Sequence, residues 1–267
     1  MGGAGLGFAA LVVAVTGARA AEPAAPLQVR AEGSFPLQYV ESVTPRSRQS
    51  TSSMAPYLGL MATAHLQSDW TTAVFANAGH NPLGSFADGD NTLASVGANL
   101  VKHWGALRAG ISLEHTRYFD DAFGTTTNIG NDVNVFASYL WRPNPGLHIR
   151  SSATLAMRAD EAFTVQRYSY GARIDIEQLL SGPWWLVAAA RVRRSDYVGS
   201  ESGRHDTRLA ILAGLKYQFN ESVEAKILAG YENRASTIAS RASDKFVVGA
   251  SIDFDFDFMR PRWPGSR

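Results

Sequence analysis

The sequence predicts a single antiparallel transmembrane β-barrel of about 12 strands, all-β in class, with ten strands as the alternative. Three observations carry that prediction. From Ser53 to Phe258, apolar and polar residues alternate in runs of about ten, the length of one crossing strand. The connections between runs are short and long by turns. No apolar run in the 267 residues reaches the ~20 that a spanning helix requires. Only helices and closed sheets satisfy every backbone N–H and C=O in lipid, so a membrane protein with this sequence must be a barrel.

The N-terminus reads as an address. Leu6 to Thr16 is an uncharged run of apolar and small residues, and Ala18-Arg19-Ala20 is a small-x-small cleavage site. Residues 1–20 are therefore expected to be a signal peptide, although Met1-Gly2-Gly3 lacks the usual basic residue. Residues 21–52 form an N-terminal segment with a candidate first strand and a loop, residues 53–258 the barrel, and residues 259–267 a short tail. The expected location is the outer membrane of a Gram-negative bacterium. The absence of cysteine suits that oxidising route and excludes disulfide frameworks and thiolate metal sites. The formal net charge of +1 gives no reason to expect nucleic acid as a partner.

The last run is the clearest. Phe246, Val248, Ala250, Ile252, Phe254, Phe256 and Phe258 share one face; Lys245, Gly249, Ser251, Asp253, Asp255 and Asp257 share the other, with Val247 the one exception. Period two separates these sets across a sheet, and no helix does so. The same alternation marks 107–114, 147–158, 167–177, 208–218 and 223–232, and more weakly 54–66, 70–78, 92–104, 131–141 and 185–195. These make about eleven strands. Leu27 to Val40 is the candidate for the twelfth, despite Gly33 and Pro36, and Thr44 to Ser53 reads as a Ser/Thr/Arg-rich loop.

Trp104-Gly105, Arg142 to Gly146, Leu180 to Pro183 and Asn220 to Ser222 are tight connections, whereas 78–91, 118–129, 196–206 and 233–245 are long and polar. Short turns belong to the periplasmic side of such barrels and longer loops to the outside. Trp104, Trp141, Trp184, Trp185, Tyr217, Phe219, Phe256 and Phe258 gather near the tight turns. Tyr118, Phe119, Phe163, Tyr168, Tyr197 and Tyr231 gather near the loops. Two aromatic belts mark two membrane–water interfaces, with outer-membrane lipid between them.

The end of the chain resembles that of bacterial outer-membrane proteins. Phe254-x-Phe256-x-Phe258 is similar to the alternating aromatic terminus recognised by the barrel-assembly machinery, which the resemblance implies as a partner. From Leu209 to Phe258, Leu215-Lys216-Tyr217-Gln218-Phe219-Asn220, Gly230-Tyr231-Glu232-Asn233-Arg234 and Asp244-Lys245 resemble the closing repeats of the β-barrel porin 2 family. The resemblance implies a porin-like barrel without an established substrate.

The expected lumen-lining residues are Arg108, Glu114, Arg150, Arg158, Arg167, Arg173, Asp175, Arg191, Arg193, Arg208, Lys216, Glu224, Lys226, Asp253 and Asp255. Two functions suit them. Basic and acidic rows on neighbouring strands can pair structurally and fill a narrow barrel. Alternatively, the Arg-heavy strands from Leu147 to Ser195 form an anion-attracting wall for a small solute. The expected role is a porin-like passive or weakly selective channel. A side-chain-filled or adhesive barrel acting through its outer loops is the alternative, and a lipid-modifying enzyme a third reading. None of the six histidines forms His-x-Ser, the pairing that activates a serine for lipid acyl chemistry, so no enzymatic activity is expected. Asp88-Gly89-Asp90-Asn91 lacks the spacing and closing glutamate of a calcium loop, and no phosphate-binding glycine motif occurs. Neither a metal nor a cofactor is expected.

Overall fold

The computed structural model describes residues 27–44, 47–54, 56–66, 69–80, 92–119, 126–162, 164–199 and 203–257. The signal-peptide region, the tail after Asp257 and Phe258 itself lie outside the described residues. The strands are β1 (Gln28–Thr44), β2 (Ser47–Met54), β3 (Tyr57–Leu66), β4 (Trp70–His80), β5 (Thr92–Trp104), β6 (Leu107–Phe119) and β7 (Thr126–Asn144). They continue with β8 (Leu147–Ala159), β9 (Val165–Ser181), β10 (Trp184–Tyr197), β11 (His205–Gln218), β12 (Val223–Ser236) and β13 (Ser243–Asp257). From β3 to β13 each pairs antiparallel with the next, and β13 closes on β1 from Arg30↔Asp257 to Val43↔Asp244.

Thirteen segments make a wall of twelve places. β1 pairs with β3 from Gln28↔Thr63 to Ser34↔Tyr57, and with β2 from Leu37↔Met54 to Thr44↔Ser47, in one unbroken register. β2 and β3 are therefore two halves of one strand position. The interruption lies opposite Phe35 and Pro36 and itself contains Pro56. Proline has no N–H to give a ladder, so prolines on both sides of one strand pair account for the break. On its other edge β1 runs through Pro36↔Ser251 without interruption. The expectation of a loop over Thr44 to Ser53 is corrected here: Ser47–Met54 is a strand.

Period-two alternation decides which face each side chain takes. Leu58, Leu60, Val74, Leu113, Val135, Leu155, Ile211 and Ile227 are exposed on the face opposite the charged residues. Ile227 is 65% exposed in the middle of β12. In water that face would be an aggregation surface; in a bilayer it is the lipid contact.

The short connections, Trp104 to Leu107, Asn144 to Leu147, Ser181 to Trp184 and Gln218 to Val223, lie at one rim, with Gln28 and Asp257. Trp104, Trp141, Trp184, Phe219 and Phe256 are exposed on the outward face near that rim, and Trp184, Tyr217 and Phe219 touch edge to face. Tyr168 and Tyr231 face outward near the long-loop rim. Trp185, Tyr118 and Tyr197 do not join the belts. Trp185 must point opposite to Trp184, and it lies under the Lys216 ammonium; Tyr118 and Tyr197 turn inward beneath Arg158 and Arg204.

The strands are strongly staggered. Following paired residues around the wall from Gln28, at the short-turn end of β1, the path crosses Asn134 midway along β7. It reaches Ser236 at the long-loop end of β12. Such stagger is the tilt that closure imposes. Twelve strands about 4.8 Å apart and tilted about 40° give a backbone diameter of roughly 24 Å, which leaves about 10 Å between side chains reaching in from opposite walls.

Candidate functional site

All fifteen residues expected to line the lumen lie on one face of the wall, opposite the exposed apolar side chains. Bonds that skip a strand identify that face as concave. Lys216 Nζ on β11 reaches Glu177 Oε2 on β9 at 2.8 Å, Arg158 Nη2 on β8 reaches Tyr118 Oη on β6 at 3.2 Å, and Arg191 on β10 lies 3.8 Å from Glu232 on β12. Side chains from alternate strands converge only on the inside of a curved sheet.

The carboxylates inside are mostly taken. Asp175 receives two bonds from the Arg173 Nε, at 2.7 and 2.9 Å to its two oxygens. Asp253 lies 3.0 Å from Lys226 Nζ, and Asp255 lies 2.6 Å from Arg30. Glu224 pairs with Lys226 and stands 3.7 Å from Lys216. Asp132 is 4.0 Å from Arg158. At the long-loop rim a tighter knot forms. Asp206, 1% exposed, accepts from Arg204 at 2.7 Å and from Arg234, and Arg204, 5% exposed, lies 3.9 Å above the Tyr197 ring.

The cations are in surplus and face one another. Arg158 is paired across the ladder with Arg167, Arg173 with Arg191, Arg193 with Arg208, Arg208 with Arg234, and Lys216 with Lys226. A structural pairing of basic rows against acidic rows therefore describes only part of this wall. Some rungs do oppose charges, such as Asp132↔Arg158 and Arg150↔Asp175, but the rungs from β9 to β12 set like against like. Directly opposed like charges destabilise a ladder. Among the described residues Arg142, Arg150, Arg167 and Arg208 make no hydrogen bond or ion pair, and the Arg167 Nε is buried without a partner. Arg193 donates only to Ser169 Oγ at 3.1 Å, and Arg108 only to Ser138 Oγ at 2.7 Å.

These side chains form a track down one side of the lumen. Arg167, Arg193 and Arg208 stand in its long-loop half, Arg173 and Arg191 lie between, and Arg108 and Arg150 stand near the short turns. Between β6 and β9 the wall opens into a recess of about 500 Å³ lined by Arg108, Arg142, Arg150, His148, Phe136 and Leu140, among others. The sequence reasoning missed Arg30, Arg142, Arg204 and Asp206. A signal for the last two was present: Arg-x-Asp recurs at Arg173-x-Asp175, Arg194-x-Asp196 and Arg204-x-Asp206, and in a strand such residues share a face. Arg194 and Asp196 use it on the outward face, where Asp196 also meets His205 Nδ1 at 2.7 Å. Among the described residues no cluster of His, Asp or Glu is arranged to hold a metal ion. Of the expected assembly signal, Phe254 and Phe256 are in ring contact at 5.6 Å.

A closed, lipid-faced wall of twelve places around a charged lumen defines a porin-like outer-membrane β-barrel. The chain belongs to the family described as "Putative beta-barrel porin 2", whose pattern matches residues 64–256. No curated protein matches it. Among solved structures it is similar to an outer membrane channel from Pseudomonas putida F1, with 13% identity over 88% of this chain and 97% of that one and a TM-score of 0.56. It is more distantly similar to a bacterial polysaccharide outer membrane secretin, with 12% identity over 88% of this chain and 100% of that one and a TM-score of 0.47. The corresponding figures for an anion-selective porin from Comamonas acidovorans are 8%, 86%, 100% and 0.44.

Proposed function

We propose that this protein is a passive outer-membrane channel that favours small anions. The observation carrying the proposal is the arginine track, in which Arg142, Arg150, Arg167 and Arg208 have no carboxylate partner among the described residues. Guanidiniums that face one another without carboxylates, in a water-filled bore, hold mobile counter-anions instead. Fixed positive charge along a bore about 10 Å wide, comparable to the Debye length at physiological salt, raises the local anion concentration and lowers that of cations. The selectivity is weak because carboxylates, among them Asp132, Asp175, Glu177, Asp206, Glu224, Glu232, Asp253 and Asp255, remain in the same bore beside cationic partners.

On this reading the short-turn rim faces the periplasm, export uses the signal peptide of residues 1–20, and the barrel-assembly machinery reads Phe254, Phe256 and Phe258. The wall has no enzymatic role. The test is the reversal potential of the purified barrel in a planar bilayer under a KCl gradient. The expected sign is that of chloride preference, lost when Arg167, Arg193 and Arg208 are together replaced by Gln. A cation-selective reversal potential refutes the proposal.

A further inference from the structure

We infer that the recess between β6 and β9 is a binding site for organic carboxylates, gripped by Arg108 and Arg150 over an apolar floor of Phe136 and Leu140. This inference rests on the channel reading, because the residues that line the recess are on the lumen face. Its size, about 500 Å³, is that of a small-molecule site.

The anion-binding half of the site follows from which groups are already engaged. Arg150 lies directly across from Asp175, but both Asp175 oxygens are held by Arg173. Glu177, the other carboxylate of the recess, is held by Lys216. Arg108, which also lines the recess, spends its Nε on Ser138, and its two terminal nitrogens make no hydrogen bond or ion pair among the described residues. β6 and β8 flank β7, so Arg108 and Arg150 approach from two sides, about 10 Å apart at the backbone. Two planar guanidiniums reaching in from these two strands can each donate to one carboxylate, whose paired oxygens suit such forks better than a spherical halide does.

The apolar half is less expected. Inward positions of a channel are polar as a rule, yet Phe136 and Leu140 both turn inward on β7. Phe136 is seated by its neighbour Gly110, where a Cβ would lie 3.0 Å from the Phe136 Cζ. Leu140 sits directly across from Arg150. His148 and Trp185, whose rings are 5.4 Å apart, stand beside the recess toward the short turns. An anion with a compact carbon body uses both halves, whereas chloride and sulfate use one.

The experiment records chloride current through the full-length barrel in a planar bilayer, at fixed ionic strength, with sodium benzoate as the probe. Sulfate serves as an anion without an apolar body, and benzyl alcohol as a neutral analogue. Benzoate is expected to block saturably at millimolar concentrations, with sulfate at least tenfold weaker and benzyl alcohol without effect. Arg150→Gln, alone or with Arg108→Gln, is expected to weaken the benzoate block about tenfold, the size of one lost charge-assisted contact in water. Leu140→Asn is expected to weaken benzoate and leave sulfate unchanged. Heat-modifiable gel migration confirms the barrel in each variant. A benzoate block indifferent to these substitutions, or matched by benzyl alcohol or by sulfate, overturns the site. Chloride current without benzoate block overturns the site and spares the channel; absence of any current overturns the channel itself.

Discussion

Replacing Ile252 by Arg tests the assignment of faces directly. Ile252 lies toward the middle of β13, between Ala225 on β12 and Phe35 on β1, and is 52% exposed on the outward face. The nearer rim is five residues away at Asp257, about 12 Å along a tilted strand. An arginine side chain extends about 7 Å, so its guanidinium cannot reach the headgroups fully. A lipid-facing arginine near the midplane costs about 2–4 kcal/mol, and the upper part of that range is expected here because no carboxylate faces outward nearby. Ser251→Arg moves the same side chain one position, onto the charged inner face. There it meets Lys226 across the ladder and has Asp253, now bonded to the Ser251 Oγ at 3.1 Å, as an acceptor; a cost below about 1 kcal/mol is expected. Urea unfolding in lipid vesicles, followed by tryptophan fluorescence and gel mobility, measures both. Equal destabilisation by the two substitutions refutes the alternation on which the barrel is built.

Two further outcomes follow from local geometry. At Gly214 an added Cβ would run into the backbone carbonyl of Ile227, which cannot swing aside, so Gly214→Ala is expected to lose about 1–3 kcal/mol in the same unfolding assay. Lys216, only 7% exposed, bonds Glu177 and stands beside Glu224; Lys216→Met is expected to leave Glu177 uncompensated and Glu224 with Lys226 alone, cost about 1–3 kcal/mol, and move the reversal potential toward cations.

How much of this was legible depended on what each residue answers to. β13 declares itself because, Val247 apart, its residues alternate between an apolar lipid face and a polar inner face, so both faces carry the signal at once. β1 is fainter, since Gly33 and Pro36 break its run, and what makes it a strand is its two long partners rather than its own composition. β2 was misread as loop for a physical reason: Ser47–Met54 continues the β3 position toward the long-loop rim, and its polar composition carries no alternating signal. The charged faces could be read off, but not who stands beside whom. Arg193 meets Arg208, and Arg208 meets Arg234, only through the register of three strands; shifting one strand by two residues would keep every face and change every pair. The floor of Phe136 and Leu140 was hidden likewise, because two apolar residues among polar ones look like noise in the pattern until the neighbouring walls are in place.

The seam between β1 and β13 bears on how the molecule is made. Arg30 waits for Asp257, the partner furthest from it along the chain, so an early hairpin must stay unzipped on one side while ten more crossings are laid down. Contacts of such long reach form slowly, and a bare strand edge invites strangers in the meantime. The piece synthesised first is thus the one satisfied last, and whatever escorts this chain has to shield that single open border until its far end arrives.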